Sequence, residues 1–164
     1  MKKLLSLLLL TGTLFAQVNN VFTLNPSVSS AGMGNVGIAH ADVKNVFHNP
    51  AFAGLNKRHQ EVSYVKWLPN LSDDMGYQSI LYTSDLGWSS EIFYFDYGSQ
   101  IEADLGGIII GDFESSSYRI SGGYGFQIKD WMFGARLNIY NHNLIDDIDI
   151  GMNYGFDLGV YNHH

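Results

Sequence analysis

The chain has 164 residues, among them 18 glycines, 10 tyrosines, 10 phenylalanines and no cysteine, and its formal charge is −7. The missing cysteines exclude a disulfide framework, a thiolate metal site and a thiol nucleophile. The acidic balance argues against nucleic acid, whose phosphates need a basic face, and only 15% of residues are charged, against about a quarter in an ordinary soluble domain.

Residues 1–16 read as a signal peptide. Lys2 and Lys3 precede a short apolar run, "LLSLLLLTGTLF", and Ala16-Gln17 is a plausible cleavage point. The run is too short for a membrane-spanning helix, which needs about 20 apolar residues, and no later stretch is long enough either. The chain is expected to be exported by this leader.

Residues 17–60 carry Pro26, Pro50 and many small residues without sustained alternation. They read as a plug or hatch-like segment. Within "SSAGMGNVGIAHADV" (29–43), Gly32, Gly34 and Gly37 are expected to allow close packing against a barrel wall. "VFHNPA" (46–51) comes next. Proline fixes its own φ and biases the residue before it away from the helical region. Asn49-Pro50-Ala51 is therefore the expected pivot of the plug.

Residues 61–164 alternate with turn signals between them. Strands are predicted at 61–68, 75–84, 87–98, 117–128, 131–145 and 148–161. The last is the cleanest: Ile148, Ile150, Met152, Tyr154, Phe156, Leu158 and Val160 share one face. Its length suits a tilted crossing of a bilayer. Residues 99–114 read as a longer connection, with "GGIIIG" as a short hairpin arm in it. Trp67, Trp88 and Trp131 fall near strand ends, where an interfacial aromatic belt would want them. The predicted fold is all-β: an antiparallel transmembrane barrel behind a plug, with about six of its strands present. Single-chain outer-membrane barrels start at eight, so the chain reads as the first part of a longer protein or as one that must associate. A secreted soluble β-sandwich is the alternative.

Catalytic patterns are weak. The six histidines have no ligand spacing. "DDIDI" (146–150) lacks the oxygen pattern of a calcium loop. There is no Gly-x-Ser-x-Gly elbow, and "GMGNVG" (32–37) is not followed by the Lys-Ser/Thr of a phosphate loop. No enzyme activity, metal or cofactor is expected.

The ordered set Ser29-Ser30-Ala31-Gly32-Met33-Gly34, Asp42 and Asn49-Pro50-Ala51 resembles the N-terminal signature of the PorV/PorQ family, within the FadL-like outer-membrane barrels. "EVSYVKWLPNLSDDMGYQSILYT", "FYFDYGSQIEAD", "GDFESSSYRISGGYGFQIKDWMFGARLNIYNHNL" and "GFDLGVY" resemble that family's later segments in order, and the spacing between "DYGS" and "GDFESSSY" leans toward PorQ. The resemblance implies a component of the type IX secretion and surface-attachment machinery. Its partners would be the lipid bilayer, other secretion proteins and exported cargo. The FadL side of the resemblance implies instead a channel for small hydrophobic molecules, gated by the plug.

Overall fold

The computed structural model describes residues 20–38, 40–69, 74–104, 106–145 and 148–162. The expected signal peptide, the turn at 146–147 and His163-His164 lie outside the described residues. The protein is all-β. Six antiparallel strands form one sheet in chain order: β1 (His59–Lys66), β2 (Gly76–Thr83), β3 (Trp88–Ala103), β4 (Ile109–Ile128), β5 (Trp131–Ile145) and β6 (Ile148–Asn162). Among the described residues each pairs only with its chain neighbours. Among the described residues β1 and β6 do not pair with one another, so the sheet stays open.

Alternation decides which side chain faces where, because successive strand residues point to opposite faces. One register row on the outer face runs Val62, Ile80, Ile92, Ile120, Ile139, Tyr154 across all six strands. Most of these side chains are exposed, Val62 at 79% and Tyr154 at 75%. The neighbouring row on the inner face runs Glu61, Leu81, Glu91, Ser121, Asn138, Gly155. The N-terminal segment lies against that inner face, which is why polar Ser79, Ser117, Ser121 and Asn138 are buried while isoleucines on the other face are exposed.

The predicted connection at 99–114 is strand for most of its length. β3 runs on to Ala103 and β4 begins at Ile109, so the whole stretch is one extended hairpin rather than a loop with a small arm. A register irregularity between Asp96 and Ser99 hides this in the sequence. A bulge adds a residue to one strand and flips the parity of the residues beyond it.

The N-terminal segment carries little regular structure. A single turn, α1 (Val28–Gly32), is capped by Ser27, whose hydroxyl accepts from Ser30 N at 3.1 Å. Gly34 N donates to Ala31 O and Asn35 N to Ser30 O, the double bond pattern that closes a helix on a left-handed residue. Gly34, at φ +78°, supplies that residue. Two 3₁₀ turns come after it, Val43–Asn45 and Pro50–Leu55. Buried Asn45 ties the first to α1 and to His40: its side chain accepts from Ser30 Oγ at 2.8 Å and donates to His40 O at 2.9 Å.

Candidate functional site

The seat of Pro50 is a trough of glycines. Gly125 of β4 is the register partner of Gly134 in β5, which is the partner of Gly159 in β6. All three face inward, and three missing side chains in one row leave a groove across the sheet. The turn Pro50–Leu55 fills it. A Cβ on Gly125 would stand 2.6 Å from Gly54 N, one on Gly134 2.5 Å from Ala51 N, and one on Gly159 2.8 Å from Ala51 N. Backbone therefore lies directly on backbone. Asn49 holds the entry of the turn: its Oδ1 accepts from Ala51 N at 3.0 Å, and its Nδ2 donates to Val160 O at 3.2 Å. Replacing an N-capping Asn by Ala costs about 1 kcal/mol. Asn49→Ala also removes the link to β6. The expected result is a loss of about 1–2 kcal/mol in urea unfolding, with faster proteolytic nicking between residues 40 and 58.

Beside the turn lies an ionic layer, fully buried at Arg119 and Glu91 and half-exposed at Asp157. Arg119, 1% exposed, donates from Nε and Nη2 to Glu91 Oε1 and from Nη1 to Phe22 O. Arg136 donates from Nε and Nη2 to Asp157 Oδ2 at 3.0 and 2.7 Å, and its Nη1 reaches Val46 O at 3.4 Å. The Phe47 ring covers both guanidinium groups, at 4.5 Å from that of Arg119 and 5.3 Å from that of Arg136. Among the described residues Glu91 Oε2 is buried without a hydrogen-bond partner, and Glu91 lines a void of about 10 Å³.

An irregular segment exposes carbonyls that no ladder satisfies, and the sheet supplies their donors. Tyr77 donates to Asn25 O, Ser79 to Pro26 O, Thr83 to Lys57 O, and the two arginines to Phe22 O and Val46 O. Ser27 also donates to Glu61 Oε2 at 2.9 Å. Phe22 completes the attachment, with its ring 4.8 Å from that of Tyr140 and 4.6 Å from that of His142.

His48 stands at the margin of a cleft of about 570 Å³ lined by Phe22, Phe47, Pro50, Arg119, Arg136, Tyr140 and Asp157, among others. The Asn25 amide is oriented by two bonds, since Oδ1 accepts from Ser27 N and Nδ2 donates to Asn35 Oδ1. Its contact of 3.1 Å with His48 Nε2 therefore makes that nitrogen the acceptor, and the imidazole neutral. Burial, and then the nearby Arg136 charge, hold His48 below the ordinary histidine value. As pH falls through about 6.5, the unfolded chain takes up this proton before the folded one does. Stability contributed above that pH is lost below it. Cleavage within residues 20–58 should accelerate as pH falls from 7.5 to 5.5, and His48→Gln should flatten that dependence. An unchanged pH profile in the variant would show that other groups govern it.

Of the residues singled out in the sequence, Asn49, Pro50 and Ala51 meet in the trough. Gly37 packs within the segment, against the His48 ring. Among the described residues nothing lies within 4 Å of where a Cβ on Gly32 or Gly34 would stand, so neither is needed for close packing there, and Gly34 serves the end of α1 instead. Trp88 and Trp131 are exposed on the outer face at the end of the sheet where short turns join β2 to β3 and β4 to β5. There Trp88, Tyr124, Phe126, Phe133 and Trp131 form a continuous row, with successive ring centroids 4.9, 6.3, 5.7 and 6.4 Å apart. Trp67 is different. One residue past β1, it continues the inner parity of Ser63 and Val65 and packs on Tyr77 and Phe95 at 6.3 and 6.4 Å. It belongs to the inner aromatic cluster rather than to an outer belt. Scanned against models of known families the chain matches none, and compared with curated proteins it finds no match.

The ionic layer was missed in the sequence. Its signal was present: Glu91, Arg119, Arg136 and Asp157 are charges at inward positions of four consecutive strands. No group of three metal-ligating side chains stands together among the described residues. No described helix is long and apolar enough to cross a membrane, which leaves open crossing by strands.

Proposed function

We propose that the chain forms part of an outer-membrane β-barrel of the PorV/PorQ type, non-enzymatic, serving protein secretion and surface attachment by anchoring in lipid and contacting partner proteins or cargo. The carrying observation is the pairing of an apolar outer face, continuous over six strands, with an inner face of mixed polar, charged and aromatic side chains that the N-terminal segment occupies. A monomeric soluble protein rarely exposes an apolar patch beyond a few hundred Å². The aromatic row at the short-turn end and the tyrosines Tyr64, Tyr94 and Tyr118 toward the other end fit two interfacial girdles. Tyr118 and Ile128 are 10 residues apart on β4. At about 3.4 Å per residue and a tilt of about 40° that spans about 26 Å, close to the apolar band of such barrels. Longer loops face the cell exterior in these barrels, so the extended β3–β4 hairpin would reach it and β1 would start on the periplasmic side. Further strands, from this polypeptide or another, must pair the edges of β1 and β6, because lipid satisfies no backbone group.

The cleft beside Phe22, Phe47 and Tyr140 favours a second reading, a FadL-like channel in which a small hydrophobic molecule passes the segment. Deletion of the gene separates the two. Loss of cargo from the cell surface with uptake intact supports the secretion role, and loss of hydrophobic uptake with display intact supports the channel. The barrel itself predicts extraction only by detergent and heat-modifiable gel mobility; recovery as a water-soluble monomer contradicts it.

A further inference from the structure

The β3–β4 hairpin continues beyond the rest of the sheet. Pairing of β2 with β3 ends at Gly76 and Asp96, and pairing of β4 with β5 ends at Ser116 and Asn143. Past the irregularity at Asp96, residues Ser99–Ala103 pair only with 109–114. Five paired residues extend about 17 Å. The tip is closed by Asp104, whose Oδ1 accepts from Gly106 N and Ile108 N, both at 2.8 Å. At the base of the β3 edge, Ser99 N donates to Asp74 Oδ2 at 2.8 Å. No described strand pairs with the β4 edge between Ile109 and Glu114.

Two further properties coincide on this arm. Ile101, Ile108, Ile109 and Ile110 are 61–66% exposed. Between residues 99 and 114 stand Glu102, Asp104, Asp112 and Glu114, with no Lys or Arg. Charges on an edge strand commonly guard it against indiscriminate pairing. That accounts for the carboxylates and leaves three consecutive isoleucines unexplained.

We propose that the arm docks an extended segment of a partner protein in which Lys or Arg alternate with apolar side chains, added as a strand along the β4 edge. Strand addition draws affinity from main-chain bonds and specificity from alternate side chains. Asp112 and Glu114 stand on β4 itself and share one face of the arm, so a basic partner along that edge meets two carboxylates there; Glu102, on β3, lies on the other face and one strand further from the partner. A second copy would bring the same carboxylates against them, and an anionic lipid surface would be repelled. The inference rests on the barrel reading for the arm's exposure at the cell exterior.

The test uses the full chain in detergent and labelled peptides of about ten residues. One alternates Lys with Val, a second alternates Glu with Val, and a third is the Lys-Val peptide with a central Pro, which keeps the charge but breaks the ladder. Anisotropy should show the first binding at least about tenfold tighter than the others, a gap of about 1.4 kcal/mol. The combined substitution Glu102→Lys, Asp112→Lys and Glu114→Lys should abolish that advantage while heat-modifiable mobility stays unchanged. The proposal is overturned by equal binding of the Pro-containing peptide, by no binding, or by undiminished binding to the substituted chain. It is equally overturned by arm-dependent self-association or vesicle binding in place of peptide binding. Peptide binding without heat-modifiable mobility would instead contradict the barrel and leave the docking edge standing.

Discussion

Gly134→Ala should dislodge the N-terminal segment, whereas Gly122→Ala should leave it in place. Both glycines sit in long central strands, so both substitutions change intrinsic strand preference alike. They differ in what the new methyl group meets. At Gly134 it falls on the backbone of Pro50 and Ala51, and at Gly122 it enters open space. Overpacking a closely fitted contact costs about 1–3 kcal/mol, and here neither side can yield by turning a side chain. The expected result is rapid proteolysis of residues 40–58 in Gly134→Ala, with the strands still protected, and wild-type behaviour in Gly122→Ala. Equal protection in the two variants would mean that the trough is not the seat of the turn.

The second large effect is expected at the ionic layer. Arg119→Ala removes the ion-pair partner of Glu91, which is 3% exposed, and the donor to Phe22 O. Breaking a buried pair on one side costs about 3–5 kcal/mol, because the orphaned charge stays desolvated. Replacing both partners by apolar residues of similar volume is often nearly neutral. Arg119→Met combined with Glu91→Leu should therefore recover most of what Arg119→Ala loses. Urea unfolding followed by the fluorescence of Trp67, Trp88 and Trp131 measures both. A loss under about 1 kcal/mol in Arg119→Ala would place the pair in the class of exposed salt bridges and argue against a closed layer under Phe47.

Much of the sheet was legible in the sequence because alternation is a local signal. β5 and β6 lie where the pattern put them, and the faces of Arg136, Asn138 and the apolar row of β6 come from parity alone. The 99–114 arm was harder. A bulge shifts its parity, and its glycines and isoleucines carry no clean period. "VFHNPA" could be recognised as a turn but not as a contact set. Val46 meets Arg136, Phe47 covers two arginines and Pro50 lies on three glycines. Each of those contacts joins residues far apart in the chain and depends on register. Gly125, Gly134 and Gly159 look like any other inward glycines until cross-strand pairing aligns them. Trp67 misled because proximity to a strand end says nothing about the face, which parity sets.

In the proposed barrel the row Val62, Ile80, Ile92, Ile120 faces lipid while the opposite face holds the N-terminal segment. Since the native sequence contains no cysteine, single cysteines can be placed one at a time at Ile80, Ile92 and Ile120 and labelled with an environment-sensitive fluorophore in bilayers. A parallel series places the label in the arm at Glu102 and Asp112. Lipids brominated near the bilayer centre should quench the first series strongly and the arm series little. Water-like emission and no quenching at Ile80, Ile92 and Ile120 would contradict the account.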